Sequence, residues 1–575
     1  MTFSASPVES ISKHMRWQIA LALVGILLLA TLLGYSTYNV ATVLIPDEGG
    51  VFREGIAGNP QYLNPLLCNA GDADMDLCAL LYRGLTRIDK HGQAVPDLAA
   101  EWTVTNDTAY TFRLKPDQFW HDGTPITADD VLFTFGILQD PNLSTLPGLT
   151  GLWRSVIMEK VDDMTVRFTL SEPFTPFLDY TAMGLLPAHI WRDVDADTLT
   201  RSSLDAMPIG SGPLRVEEIE ADHILLTPSE FYPGKRPYLD GLDMRFYPDY
   251  ASLFTAFQNG EIDGVSHILP AEIPAASQRD DLQLFSTTES SYLNVIFNLN
   301  NPDAPFLQDD RVRQALYYGL DRQRLIDEAA NGQGLIADSP FLPENWAHHT
   351  AETYAYDPAR ANQLLDEAGW VDSNGDGIRD QDGRPLAFRL HTNDDGLRAG
   401  LIEQIAADWG RLGVQVTAEA VSFNDLITDF LGPRSFDSAL VGWEQLGDPD
   451  PYPLWHSTQA TGGGQNYSGW DNPEADAIME QARAIIDETI RAQLYARFQE
   501  IFMTELPALP LYYPVYTYGV STDVYNVQIG ALNLASERFL TFSDWYKLTR
   551  RVPVNQAPAD APPLAPGATP IDAEE

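Results

Sequence analysis

The chain has 575 residues, 44% hydrophobic and 20% charged, which is enough apolar material for several buried cores and too mixed for a polytopic membrane protein. Lys plus Arg number 36 against 81 Asp plus Glu, giving a formal net charge of −45. A field of that sign repels phosphate backbones and excludes nucleic acid as a partner.

Lys13 and Arg16 precede a stretch, residues 17–46, without a charged side chain; its core, 19–33, is apolar apart from Gly25 and Thr31. That approaches the ~20 residues that cross a bilayer. Bases before it and Asp47 and Glu48 after it orient the amino terminus inside and the body outside. Residues 1–16 are therefore expected to be cytoplasmic and 17–37 to form a transmembrane anchor or signal. No clear small-residue cleavage site follows Leu33 and no cysteine follows the apolar run, which favours an uncleaved helix. Outside the cell, Cys68 and Cys78, the only cysteines, either form a disulfide or stay as two buried thiols.

Further along, Tyr110, Phe112 and Leu114 alternate with polar neighbours, as do Val166, Phe168 and Leu170; both runs predict half-buried strands. Between them, Thr127 followed by Asp130 predicts a capping box opening a helix that carries Val131, Phe133 and Phe135. Val312, Leu316 and Leu320 have helical spacing. Asp357-Pro358 predicts another helix start, with Ala361, Leu364, Leu365 and Ala368 on its apolar face and Gly369 at its end. Asp372, Asn374, Asp376, the backbone of Ile378 and Asp380 follow the spacing of a calcium loop, with Gly377 at its sixth position. Position twelve is Gly383 rather than Glu, and a strand-like run follows instead of a helix, so the alternative is a polar turn braced by Asx hydrogen bonds. The Pro/Ala-rich end, 552–575, reads as a disordered tail.

Catalytic signatures are not found. None of the six lysines completes a phosphate-binding P-loop, and there is no G-x-S-x-G or H-E-x-x-H. His348, His349 and Glu352 are possible metal ligands or hydrolase residues, but their segment reads as a surface loop. With 81 acids, no carboxylate pair is informative on its own. An enzyme is not expected, and no cofactor is required beyond a possible Ca2+.

Six segments, in order, carry a resemblance. Asn64-Pro65 precedes Leu81-Tyr82-Arg83-Gly84-Leu85. Glu101-Trp102 leads to Tyr110-Thr111-Phe112-Arg113-Leu114-Lys115, then Trp120, Asp122-Gly123, Thr127 and Asp130. Pro208-Ile209-Gly210-Ser211-Gly212-Pro213, Tyr292-Leu293-Asn294 with Phe297-Asn298, and Asp310-Arg311-Val312-Arg313 follow. Phe436-Asp437, Gly442-Trp443 and Asp448-Pro449 close the series. Together they resemble the peptide/nickel-type solute-binding proteins of ABC importers, family 5, over roughly residues 50–547. The resemblance implies an α/β, two-lobed periplasmic-binding-protein-like fold of type II, with an extra subdomain in lobe I, here preceded by one transmembrane helix. Lobe I is expected at 50–290 and 515–551 with the subdomain at 86–207, and lobe II at 290–514. It also implies a monomer that encloses a peptide or other small solute between closing lobes and docks on a permease served by separate ATPases.

By the same resemblance, ligand contacts are expected from Gly442 and Trp443, from Asn69, Gly71 and Asp72 in the loop before the first body helix, and from Tyr292, Asn294 and Tyr513 near the lobe crossing. The family's peptide binders place an Asp shortly after the Trp to neutralise the ligand's α-ammonium. Counted residue by residue, Leu446 stands there, leaving Glu444 and Asp448 as replacements. The departure keeps open a nickel chelate or another non-peptide solute as ligand.

Overall fold

The computed structural model describes residues 7–68, 71–140, 147–193, 208–351, 353–530 and 532–556. Asn69, Glu352, part of the expected subdomain and the tail beyond 556 lie outside the described residues.

A twelve-stranded mixed sheet runs through the body. One half is built from Gln415–Val421, Ala387–Asn393, Ser438–Glu444 and Ser291–Phe297, and the other from Gly264–Val265, Val51–Ala57, Gly241–Tyr247, His223–Pro228 and Leu214–Ile219. The 14-residue strand Ala508–Ser521 joins them. Its first half pairs antiparallel with Ser291–Phe297, from Ile296↔Ala508 to Leu293↔Tyr512. Its second half pairs with Leu282–Thr288 and with Gly264–Val265. In Ser291–Phe297 every residue after Ser291 is buried, as expected of a strand covered on both faces.

Each half carries its own core, which makes the molecule two-lobed. The larger core gathers Val295, Phe297, Leu316, Trp409, Leu440 and Phe502. The other gathers Phe52, Leu81, Leu242, Tyr518 and Trp545. A four-stranded antiparallel sheet, ordered Ala99–Thr105, Ala109–Leu114, Thr165–Thr169, Ile157–Asp162, builds a third core around Phe112, Trp153 and Phe168. The alternation read in the sequence holds there, because Tyr110, Phe112, Leu114, Val166 and Phe168 point inward. The helix Ala128–Ile137 opens with the expected capping box: Asp130 Oδ2 accepts from Thr127 N at 2.8 Å, and Thr127 Oγ1 accepts from Asp129 N at 3.3 Å. Helix Pro358–Glu367 starts at the Asp357 cap, and Gly369 follows it at φ +88°.

Cys68 and Cys78 form a disulfide that ties the loop before helix Asp72–Leu81 to the helix itself. At the amino terminus, helix Pro7–Ala41 leads into strand Thr42–Asp47, which pairs with Leu548–Pro553. Val552 and Pro553, read from composition as the start of the tail, are therefore in a strand, because Val43 and Thr42 offer them a partner 509 and 511 positions away that composition cannot reveal. The helix side chains described from 17 to 33 are all exposed, Leu27 at 68%. Among the described residues no helix is long and apolar enough to cross a membrane, so the expected span is not confirmed.

Candidate ligand-binding site

A cavity of about 290 Å³ lies where the lobes face each other. Asp72 and Asp76, one turn apart on one face of helix Asp72–Leu81, form part of its wall. Ser291 and Glu444, directly paired across adjacent strands, form another part with Gly442 and Glu289. Tyr250, His267, Tyr516 and residues 532–535 complete it. The lobes are in contact beside it. Thr175 N donates to Arg483 O at 2.8 Å, Asp448 N to Asp179 Oδ2 at 2.6 Å and Gln93 Nε2 to Glu488 Oε2 at 2.8 Å.

Two arginines reach this wall. Arg538, 1% exposed, donates to Asp76 through both terminal nitrogens and to Glu54 through Nε at 2.9 Å. Glu54 also accepts from the Tyr518 hydroxyl at 2.9 Å. Burial pushes the Glu54 carboxyl up to about 7 despite Arg538. Such a buried group is neutralised from within, and removing one member leaves the rest uncompensated. Arg398, in the first turn of helix Gly396–Gly410, instead donates Nη1 to Asn393 Oδ1 at 2.8 Å and lies against Gly442. A Cβ at Gly442 would stand 2.8 Å from Arg398 Nη2, so the absent side chain makes room for the guanidinium.

Three carboxylates face the same space. Glu289 accepts from the Ser291 hydroxyl at 3.0 Å; burial raises its pKa, with Glu444 and Asp72 adding to the rise and Arg398 opposing it. Asp72 is raised by burial first, then by Asp76, with Glu444 adding a further rise. His267 sits between the rings of Tyr250 and Tyr516, at 5.1 and 5.3 Å, and burial pushes it down to about 4, so it is neutral at pH 7.

Of the residues singled out by sequence, Asp72, Gly442 and Glu444 line the cavity, and Leu446 lines it too. Trp443 does not. Side chains alternate along Ser438–Glu444, so with Gly442 and Glu444 on the cavity Trp443 faces the other way, stacked on Tyr467 at 5.8 Å and packed with Tyr292. Tyr292 and Asn294 are buried in the central strand, and Tyr513 donates its hydroxyl to Ser339 O and Phe341 O at 2.9 and 2.8 Å. Their place is the lobe crossing, not the cavity wall. Gly71 caps the helix with extended backbone and is not on the wall. Asp448 is held by Arg491 at 2.6 Å on both oxygens, which removes it as a free acid for the ligand. Glu444, in contrast, lines the cavity and is in no ion pair among the described residues. Sequence reasoning missed Glu289, Arg398, Asp76, His267 and Arg538; only the two arginines carried a signal, since a base among so many acids demands a partner.

In the calcium-like loop the oxygens serve the loop's own donors. Asp372 accepts from Gly375 N and Gly377 N at 2.7 and 3.1 Å, Asn374 from Asp376 N at 2.8 Å, Asp376 from Ile378 N at 2.8 Å, and Asp380 from Ser373 N at 3.0 Å. Among the described residues no three His, Cys, Asp or Glu side chains gather as a metal cluster. His348 pairs with Asp338 at 3.1 Å, while His349 stands 3.9 Å from Glu500.

The family model described as bacterial extracellular solute-binding proteins, family 5 middle, matches residues 93–465. The oligopeptide-binding protein AppA of Bacillus subtilis is 30% identical over 507 residues, covering 84% of this chain and 92% of the relative. The dipeptide-binding protein of Escherichia coli is 29% identical over 479 residues, covering 79% and 87%. Among solved structures, NikZ of Campylobacter jejuni in complex with Ni(L-His) matches with a TM-score of 0.71 at 25% identity, covering 86% of this chain and 99% of that one.

Proposed function

This chain belongs to the bacterial extracellular solute-binding proteins of family 5, and we propose that it is the receptor of an ABC importer, enclosing a peptide or peptide-like solute between its lobes and delivering it to a permease. The observation that carries this reading is the interlobe cavity, whose walls offer an arginine and carboxylates that are not paired with each other, as an ammonium and a carboxylate on one small ligand require. Separate ATPases would drive the import, and no catalytic step is assigned to this chain, in keeping with a family of binding proteins.

The body is read as extracytoplasmic and tethered by helix Pro7–Ala41. Exposed Leu, Ile and Val side chains around residues 19–33 support this, since a helix apolar on every side needs a buried or lipid environment. We read the working unit as a monomer. Native mass spectrometry of the full chain purified in detergent tests the core of the proposal: a co-purifying peptide is expected, and calorimetric titration with di- and tripeptides showing no binding would overturn it. A nickel chelate is the second reading, favoured by Leu446 at the family's ammonium position; metal analysis of the same sample separates the two. Calcium at Asp372, Asn374, Asp376, Ile378 and Asp380 is a further proposal. The ion would have to compete with the loop's own N–H donors, and calcium titration followed by thermal unfolding tests it.

A further inference from the structure

The charges on the cavity wall and directly behind it fall into two groups. Arg538, Asp76 and Glu54 satisfy one another and leave nothing for a ligand. The second group is Arg398 with Asp72, Glu289 and Glu444. Among the described residues none of these four is in an ion pair: Arg398 donates to a neutral amide, and Glu289 accepts from a hydroxyl. One base against three acids leaves a formal charge of 1 − 3 = −2 in an interlobe cavity.

That imbalance discriminates between ligands. A dipeptide with uncharged side chains brings one ammonium and one carboxylate, and once it is enclosed two carboxylates remain desolvated without a counterion, which is costly. An acidic side chain worsens the balance, and a basic side chain improves it. The acids already oppose one another across the space, since Glu444 disfavours the charged forms of both Asp72 and Glu289. The volume of about 290 Å³ falls just under the ~300–1,000 Å³ of ligand sites, which suits a ligand of two or three residues.

Resting on the reading of this chain as a peptide receptor, we propose that the cavity selects short peptides with a basic side chain, placing the ligand carboxylate on Arg398 and its two cationic groups among Asp72, Glu289 and Glu444. Specificity here is a difference of affinities enforced by repulsion as well as attraction.

The test is calorimetric titration of the full chain in detergent with Lys-Ala, Ala-Lys, Ala-Ala, Ala-Glu and the diamine cadaverine. Lys-Ala or Ala-Lys is expected to bind at least ten-fold more tightly than Ala-Ala, and Ala-Glu more weakly than Ala-Ala. Glu444→Gln is exposed and conservative; it is expected to shrink the lysine advantage several-fold with unchanged thermal unfolding, and Asp72→Asn to act in the same direction. Arg398→Gln is expected to weaken every dipeptide while sparing cadaverine. Ala-Ala or Ala-Glu binding as tightly as the lysine peptides overturns charge selection but leaves peptide reception standing. Absence of binding by every dipeptide overturns both.

Discussion

Gly442 is needed for what it lacks. The ligand-side arginine passes over its α-carbon, so Gly442→Ala would push Arg398 off the cavity wall without disturbing either core. Peptide affinity is expected to fall ten-fold or more by calorimetry while near-ultraviolet circular dichroism and the thermal midpoint stay as in the parent; retained affinity would mean that Arg398 is not a ligand group. At this scale the sequence was only partly legible. Glu444 stood out as an acid close to the family's ammonium position. Trp443 stands off the cavity wall because the resemblance marks a segment, whereas strand parity decides which neighbour faces the cavity. Glu289 and Arg398 were invisible because 109 positions separate them, and nothing local announces the encounter.

Elements were easier to read than contacts. Caps and alternation act within a few residues, so Thr127 with Asp130, Asp357 with Pro358, and the strands carrying Phe112 and Phe168 were all foreseeable. Thr127→Ala removes the acceptor for Asp129 N and is expected to cost about 1 kcal/mol in urea denaturation. Thr127→Ser should restore most of it, and a loss equal for Ala and Ser would point to packing instead of capping. The lobe boundary expected at 514/515 falls inside strand Ala508–Ser521, but that one strand serves both halves of the sheet was not legible. The folded chain shows that residues 508–521 are one strand whose two ends serve different partners.

The lobe contact is expected to respond to pH. Asp179, in the smaller sheet's domain, accepts from Asp448 N of the opposite lobe, and burial pushes its carboxyl up to about 7, with the Asp448 charge adding to the rise and Arg491 opposing it. Asp450, beside Arg483, is raised to about 6 for the same first reason. Parting the lobes would hydrate Asp179 and return it toward its ordinary 3.8. Between about pH 4 and 7 the closed form therefore holds the extra proton, so closure strengthens as pH falls through that window and is weakest above 7. Small-angle scattering of the ligand-free chain should give a smaller radius of gyration at pH 5.5 than at pH 8, and Asp179→Asn should flatten the difference. Equal radii, or a pH response that survives in Asp179→Asn, would sink the idea. The two-lobed architecture was legible through ordered motifs, but this contact joins residues 269 positions apart on surfaces that only closure brings together.

The strand Ala508–Ser521 also orders events during synthesis. Almost all of the larger core, from Leu293 to Tyr512, is contiguous in the chain and can assemble once that stretch has left the ribosome. The other core needs Tyr518, Phe539 and Trp545, and its Arg538 must arrive before Glu54 and Asp76 are neutralised. The part of the protein made first is thus the part finished last. Until the final residues emerge, its acidic half-built sheet waits with an open edge, and a chain stopped before position 538 would be left with two buried carboxylates and no arginine to meet them.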